Sequence, residues 1–216
     1  SEAFDRRAGV VASLALLLSP LFVVQSSLFL SYAPTTAFNL GFALAYLRAW
    51  KGRDLRYAGV AGVCAGIAFF SRQYTAVVFA VPFVAHALYV VLSERRRETV
   101  ALYATTTAFG LVFVALALVY NEVLTGDPLV FPYLEFAPND GVGFGEREIL
   151  GYSRDYTPEL ALEANSRVIY RFVVDWGPGG IVGAGLGLVG VLRVARGRAT
   201  EGLLVLGVGV SVVAGN

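Results

Sequence analysis

The hydrophobic positions of the chain fall into long blocks separated by short polar segments. Ala8 to Leu47 carries no charged residue, and Tyr57 to Ser93 carries only Arg72. At a rise of 1.5 Å per residue, the first block would form about 60 Å of helix, twice the roughly 30 Å of a bilayer's hydrocarbon core. We therefore predict two membrane-spanning helices in each of these blocks.

Proline and glycine positions refine this division. Pro34 suits the first turn of a new helix, so the break within the first block is predicted at residues 31–34. Pro20 is predicted to kink the first span or to divide it into a helix and a re-entrant piece. The second block is predicted to be a helical hairpin with its tip at residues 71–73. Its Gly62 and Gly66 form a GxxxG pair that lets a neighbouring helix approach closely.

Three further apolar segments follow. Val100 to Asn121 is an uncharged span, and an apolar run that begins at Gly202 is a seventh one. Between them, Gly177 to Leu192 is apolar and rich in glycine. Gly179, Gly183 and Gly187 recur every four residues, which predicts a packing ridge on one face of a membrane helix.

Residues 121–176 form the one long polar stretch, with most of the acidic residues and five of the eight prolines. Turn signals occur at residues 126–128 and 138–141. Pro158 to Trp176 alternates apolar and charged side chains as an amphipathic helix does, and Trp176 suits a membrane interface. We expect this helix to lie on the membrane surface.

The predicted fold is all-α, a polytopic transmembrane bundle of about seven spans with one external loop region that carries the amphipathic helix. We expect spans 1–5 in residues 1–120, the external loop in residues 121–176, and spans 6 and 7 in residues 177–216. The last apolar run is shorter than the roughly 20 residues of a span, and residue 1 is serine. The chain is therefore expected to be a fragment of a longer protein, and no signal peptide is expected.

Composition supports the membrane class. Hydrophobic residues make up 56% of the chain and charged residues 15%, against about 25% charged residues in soluble proteins. The net charge is +1, and no basic stripe with interleaved aromatic residues is present, so no nucleic-acid partner is expected.

The distribution of basic residues predicts the orientation. If the N-terminus is cytoplasmic and each span reverses direction, every basic cluster falls on the cytoplasmic side, as the positive-inside rule requires. Residues 121–176 are then extracytoplasmic, and the membrane is the cell membrane. The cytoplasmic clusters are residues 6–7, 48–56, 95–97 and 193–198.

Three residues within the apolar blocks are chemically distinctive. Arg72 either reaches the interface from between two spans or binds a lipid phosphate, which a guanidinium can hold with two parallel hydrogen bonds. His86, the only histidine, is either a neutral residue bonded to a neighbouring helix or a proton relay or ligand. Cys64 is interpreted as a small buried hydrophobic residue.

The polar stretch offers weaker candidates. Residues 141–145 alternate glycine with apolar residues but lack the spacing and context of a phosphate-binding loop, so a plain loop is expected. No metal-ligand cluster is evident, although a divalent metal remains open. Most external carboxylates are expected to be solvated, and any could serve as a general base. They include Asp127, Glu135, Asp140, Glu146 and Glu148.

The order of several short motifs resembles the GT-C class of polyprenyl-phosphate-dependent membrane glycosyltransferases, and more narrowly the protein mannosyltransferase and aminoarabinose transferase relatives. The motifs are FDRRAGV at residues 4–10, LSP at 18–20 with the apolar stretch through 27, AGV at 61–63, AFFSRQYTA at 68–76 with Pro82, YN at 120–121, TGDP at 125–128, FPY at 131–133 and GFG at 143–145.

This resemblance implies a transferase that takes a sugar from a polyprenyl-phosphate-linked donor and transfers it to an acceptor on the outer face. Membrane lipid and the lipid-linked donor are the implied partners. Arg72 best matches a position near the donor phosphate, with Tyr74 as a further substrate-binding residue. Tyr133, Glu135 and Arg147 are placed on the acceptor side.

The catalytic acid of the family lies in its first external loop, which is expected upstream of this chain. The family also often has an acidic residue near the start of the next span, where residues 33–36 have none. Two alternatives therefore stay open, a transporter or channel subunit and a non-catalytic membrane scaffold. A transporter would place ionisable residues at the midplane, where only His86 qualifies.

Overall fold

The computed structural model describes residues 6–27, 31–138, 143–149, 151–171, 173–174 and 180–215. These residues form α-helices and one antiparallel β-hairpin. The elements are α1 (Arg6–Leu17), α2 (Pro20–Ser27), α3 (Tyr32–Gly52), α4 (Leu55–Ser71), α5 (Gln73–Glu94), α6 (Arg97–Thr125), α7 (Pro132–Phe136), β1 (Gly145–Ile149), β2 (Tyr152–Tyr156), α8 (Pro158–Arg171), α9 (Gly180–Gly197) and α10 (Ala199–Gly215).

Prolines set the helix boundaries in the first apolar block. α1 ends at Leu17 and α2 begins at Pro20, whose missing N–H is not needed in the first turn of a helix. α3 begins at Tyr32 with Pro34 in its first turn. The predicted break near residues 31–34 and the predicted division at Pro20 are both confirmed.

A single residue joins α4 to α5. Arg72 has an extended backbone, with φ −155° and ψ 92°. Its N–H donates to the carbonyl of Ala68 at 2.9 Å, and its own carbonyl accepts from the N–H of Ala76 at 3.0 Å. The predicted hairpin with its tip at residues 71–73 is therefore confirmed, and the turn satisfies its backbone groups from the two helices.

α4 packs against α6 through its glycine face. A Cβ atom at Gly62 would lie 2.3 Å from the carbonyl oxygen of Thr106, and one at Gly66 would lie 2.5 Å from Cδ2 of Phe113. The Thr106 hydroxyl also donates to the Ala58 carbonyl across this interface, at 3.1 Å. The GxxxG prediction is confirmed, since only glycine permits this approach.

The core lies where α3, α4, α5 and α10 meet. α10 contacts α5 closely enough that a Cβ atom at Gly207 would lie 2.8 Å from Cβ of Pro82. Aromatic side chains fill much of the remaining space. The buried residues of the core are Phe42, Ala45, Tyr46, Ala61, Phe83 and Leu204.

Among the described residues, two helices are long and apolar enough to cross a membrane by length and composition, α5 and α6. Only 17% of the most apolar window of α5 and 11% of that of α6 are buried. A core helix of a soluble protein would be mostly covered, so these exposed apolar faces favour solvation by lipid. Three shorter helical segments are also apolar: α4, residues Gly180–Arg193 of α9 and residues Ala199–Val212 of α10.

The polar stretch departs from the prediction in one respect. β1 and β2 pair in antiparallel register where only a loop was expected, with residues 143 and 144 leading into β1. α8 confirms the amphipathic helix over Pro158–Arg171. Parts of several predictions lie outside the described residues. These are Trp176, Gly179 and residues 139–142, which include Asp140 and belong to the predicted turn and loop.

The predicted glycine ridge is not seen at Gly187. A Cβ atom there would meet no atom within 4 Å, so this position of α9 packs against none of the described residues. The spacing that places glycines on one face does not by itself supply a neighbour.

Candidate functional site

Three connections between helices converge at one end of the bundle. Arg53, which follows α3, donates to both carboxylate oxygens of Glu94 at the end of α5, at 2.6 and 2.8 Å. Lys51 pairs with Glu201 in the first turn of α10 at 2.6 Å. The hydrogen bond to Glu94 raises the pKa of Arg53 above its usual value. The α3–α4, α5–α6 and α9–α10 connections therefore share one end, the arrangement that the charge pattern requires.

Arg72 lies at the other ends of α4 and α5. Its guanidinium carbon is 3.8 Å from the centroid of the Tyr32 ring, at the start of α3. A cation over an aromatic face is attracted by the ring's quadrupole. Phe70 and Tyr120 contact each other with ring centroids 5.7 Å apart, so α6 also reaches this end. Sequence analysis did not identify Tyr32 as a partner of Arg72; it placed Tyr32 in the predicted break at residues 31–34 and Arg72 at the tip of the predicted hairpin.

An apolar cleft of about 390 Å³ lies between α5 and α6, with α4 as its floor. Phe69 and Ala76, three and four residues from Arg72, line one end of it. Val91 and Tyr103 line the other end. The cleft therefore extends along the helices from the Arg72 turn towards the opposite end of the bundle.

A polar cluster surrounds His86. The Tyr46 hydroxyl lies 2.7 Å from His86 Nδ1, 3.1 Å from the Phe83 carbonyl oxygen and 3.5 Å from the Tyr103 hydroxyl. The Trp50 ring stands nearly perpendicular to the imidazole, with centroids 4.8 Å apart. This geometry agrees with the interpretation of His86 as a histidine bonded to a neighbouring helix.

The predicted substrate-binding residues occupy three separate elements. Arg72 and Tyr74 share the α4–α5 turn, and Tyr74 is exposed. Tyr133 and Glu135 lie on α7 and are also exposed. Arg147 lies on β1. Within the described residues, no hydrogen bond, ion pair or ring contact joins these three groups to one another.

α7 is held beside the end of α6 by a compact turn. The Asn121 side-chain amide donates to the Pro128 carbonyl at 3.0 Å, and Asn121 is buried. Asp127 accepts from the N–H of Leu129 at 2.8 Å. Asp127, one of the candidate general bases, therefore caps a turn, and α7 is positioned by these bonds.

The β-hairpin gathers cations and aromatic rings. The Arg147 guanidinium carbon lies 4.2 Å from the Tyr156 ring centroid, and the Phe144 ring stacks on Tyr156 at 6.0 Å. Arg147 also donates through Nη2 to the Gly143 carbonyl. Within the described residues, no group of three His, Cys, Asp or Glu side chains could hold a metal ion.

These features define an α-helical membrane protein in which Arg72 lies beside one end of an apolar cleft. The family model for dolichyl-phosphate-mannose-protein mannosyltransferases matches residues 1–120. That match covers 120 of the 216 residues, and the chain belongs to this family. It is therefore placed in the GT-C class of membrane glycosyltransferases, which agrees with the resemblance in the sequence motifs. No curated protein and no solved structure was found to match the chain.

Proposed function

We propose that the chain takes part in transferring a sugar from a polyprenyl-phosphate carrier, with the carrier's phosphate held at Arg72. The observation that carries this proposal is the position of Arg72 at the turn between two apolar helices, beside the end of an apolar cleft. A guanidinium offers a planar fork of donors that suits phosphate and stays charged at any physiological pH.

The cleft between α5 and α6 suits the carrier's isoprenoid chain. Its lining is almost entirely apolar, and its volume of about 390 Å³ lies within the range of ligand pockets. A lipid phosphate keeps its tail in the hydrocarbon region and its charge at the interface. Phe69 and Ala76 line the end of the cleft near Arg72, so a phosphate at Arg72 would leave the attached chain next to this lining.

We further propose a multi-pass topology of about seven spans with residues 121–176 outside the cell membrane. Spans 1–5 would occupy residues 1–120, and spans 6 and 7 would occupy residues 177–216. The meeting of the α3–α4, α5–α6 and α9–α10 connections at one end supports this arrangement. Their basic residues would then be cytoplasmic, and Arg72 would lie at the outer face.

Tyr74 completes the proposed donor side, and Tyr133 and Glu135 form the proposed acceptor side. A carboxylate would deprotonate the acceptor hydroxyl while cations stabilise the leaving phosphate. Among the described residues, no carboxylate contacts Arg72, so we assign the catalytic base to none of them. The hairpin contacts of Arg147 favour a different role, proposed in the next subsection.

The experiment compares binding of a polyprenyl phosphate to the protein in nanodiscs across four variants. Charge-assisted hydrogen bonds contribute about 1.5–3 kcal/mol, so Arg72→Ala should weaken binding roughly ten- to one-hundredfold. Arg72→Lys should lose less, because it keeps the charge but not the fork. Tyr32→Phe keeps the aromatic face, and Arg95→Ala removes a cation at the opposite end. Both controls should bind normally.

Thermal unfolding separates loss of the site from loss of the fold. If a folded Arg72→Ala variant binds the lipid phosphate as the parent does, Arg72 is not a phosphate ligand and the proposal fails. If the parent itself binds no lipid phosphate, the scaffold alternative is supported instead.

A further inference from the structure

The β-hairpin separates charge by face. In an antiparallel pair, residues directly opposite each other project to the same face. Arg147 is paired with Arg154, and Glu146 is paired with Asp155. One face therefore carries both arginines, and the other carries two opposed carboxylates.

Like charges placed directly opposite each other destabilise a strand pair. A register shifted by one residue would pair arginine with a carboxylate. The observed register instead pairs arginine with arginine and carboxylate with carboxylate. Arg154 has no hydrogen bond or ion pair within the described residues, and Nε of Arg147 is buried there without a hydrogen-bond partner. No anion among the described residues therefore relieves the repulsion on the cationic face.

Aromatic side chains flank the two arginines. By register, Tyr152 and Tyr156 share the face of Arg147 and Arg154. Tyr152 is 83% exposed, and the neighbouring Phe144 is 66% exposed. Exposed aromatic rings beside cations are typical of surfaces that lie at the membrane interface, where rings enter the headgroup region and cations meet phosphate.

The hairpin is followed directly by a helix whose side chains suit a membrane surface. Thr157 alone separates the end of β2 from the start of α8. α8 exposes the apolar side chains Leu162, Val168 and Ile169, as a helix lying on a membrane does. The strands pair with each other and pack extensively against no described helix, so the hairpin can meet the surface without disturbing the bundle.

We propose that the face of the hairpin carrying Arg147, Arg154, Tyr152 and Tyr156 binds the anionic headgroups of membrane lipids. The phosphates neutralise the opposed arginines, and the acidic face turns towards water. This role depends only on the chain being a membrane protein and does not require sugar transfer. It would hold the polar stretch against the membrane surface.

The test uses the whole chain in nanodiscs with one environment-sensitive fluorophore. Cys64, the only cysteine, is first replaced by alanine, and a new cysteine is introduced by Tyr152→Cys or, on the opposite face, by Ser153→Cys. With phosphatidylglycerol in the disc, the label at position 152 should shift to the blue and be shielded from an aqueous quencher. The label at position 153 should stay accessible, as should both labels in pure phosphatidylcholine.

Matched charge variants test the cause. Each arginine near an anionic surface contributes about 1 kcal/mol, roughly a fivefold change in the ratio of bound to free hairpin. Removing both through Arg147→Gln and Arg154→Gln should release the label at position 152. Removing the opposite pair through Glu146→Gln and Asp155→Asn should leave it shielded. Both variants relieve a like-charge repulsion, so neither should unfold the hairpin.

Two results would overturn the proposal. One is shielding of the label at position 152 from the quencher that does not depend on anionic lipid or on the two arginines. It would show as equal shielding in neutral and anionic discs, or as shielding that persists in the double arginine variant. The other is a shift reproduced in neutral discs by inorganic phosphate, which would assign the arginines to a soluble anion and not to lipid.

Discussion

Arg53 and Glu94 form an ion pair in which a single arginine nitrogen, Nη2, lies 2.6 and 2.8 Å from the two carboxylate oxygens. Arg53 precedes α4 and Glu94 ends α5. Thr99, buried at the start of α6, accepts from Arg53 Nη1 at 2.9 Å and donates to Glu94 at 2.6 Å. One cluster therefore ties the ends of three helices together.

Replacing Glu94 with glutamine should destabilise the fold. Both charges are about one-third exposed, so solvent screens the pair and we expect a small decrease in the melting temperature. Thermal unfolding in detergent measures it. Glu122→Gln is the matched control, since the Glu122 side chain has no bonded partner among the described residues and should change little. Equal melting temperatures for the parent and Glu94→Gln would contradict this prediction.

Alanine at Gly62 should separate α4 from α6. Its Cβ atom would lie 2.3 Å from a backbone oxygen, which cannot move without moving α6. Overpacking of this kind costs about 1–3 kcal/mol. Gly187→Ala is the control, because open space surrounds that position and alanine favours helix. Unfolding of both variants in mixed micelles provides the measurement, and the prediction is wrong if the two respond alike.

The Lys51–Glu201 ion pair should attach α10 to α3. The Glu201 side chain is 9% exposed and that of Lys51 is 34% exposed, so Glu201→Ala leaves a partly buried ammonium without its carboxylate. Because the Lys51 ammonium keeps much of its hydration, we expect a loss of about 1 kcal/mol, as for a solvent-screened pair. Lys51→Met combined with Glu201→Leu should recover much of it. A double-mutant cycle on unfolding free energies decides, and additive single losses would exclude a direct interaction.

His86 should tolerate asparagine, because an asparagine side chain can place a polar atom where His86 Nδ1 meets the Tyr46 hydroxyl. Tyr46→Phe removes that hydroxyl and should cost about 1 kcal/mol of stability. In a preparation of the protein that transfers sugar, turnover of His86→Asn, measured between pH 5 and pH 8 as about the range in which histidine titrates, should follow the parent. A pH-dependent loss of turnover would instead assign His86 to proton transfer.

The proposed topology can be tested with the same cysteine-free background. Tyr133→Cys should react with a membrane-impermeant maleimide applied to intact cells, and Arg97→Cys should react only after the membrane is opened. The positive-inside distribution places these two positions on opposite sides. Labelling of Arg97→Cys in intact cells, or protection of Tyr133→Cys, would reverse the assignment.

Most of the helical framework could be predicted because its determinants are local. Pro20 and Pro34 fix helix starts through a missing N–H and a restricted φ, and both effects can be recognised from the sequence. The Arg72 turn was predicted because a charge interrupts an apolar block. Gly62 and Gly66 indicated a close helix contact, although their spacing could not identify α6 as the partner.

The missed features depend on partners that are distant in sequence or on weak strand signals. The contact of Arg72 with Tyr32 requires α3 and α4 to be adjacent, which no periodicity reveals. The β-hairpin was missed because Glu146, Arg147 and Glu148 resemble solvated loop residues. Gly151, with φ 81°, was the available signal, since a glycine with positive φ between two strands suits a tight hairpin turn.

The one-residue turn at Arg72 has a mechanical consequence. α4 and α5 are fastened at that end by the chain itself and at the other by Arg53 and Glu94, while close glycine packing fixes α4 to α6. The helices around the cleft are therefore held together at both ends and along α4, which leaves the side between α5 and α6. If the proposed lipid phosphate occupies this cleft, it would enter laterally from the bilayer between α5 and α6, and the width of its chain would limit entry before Arg72 meets the phosphate.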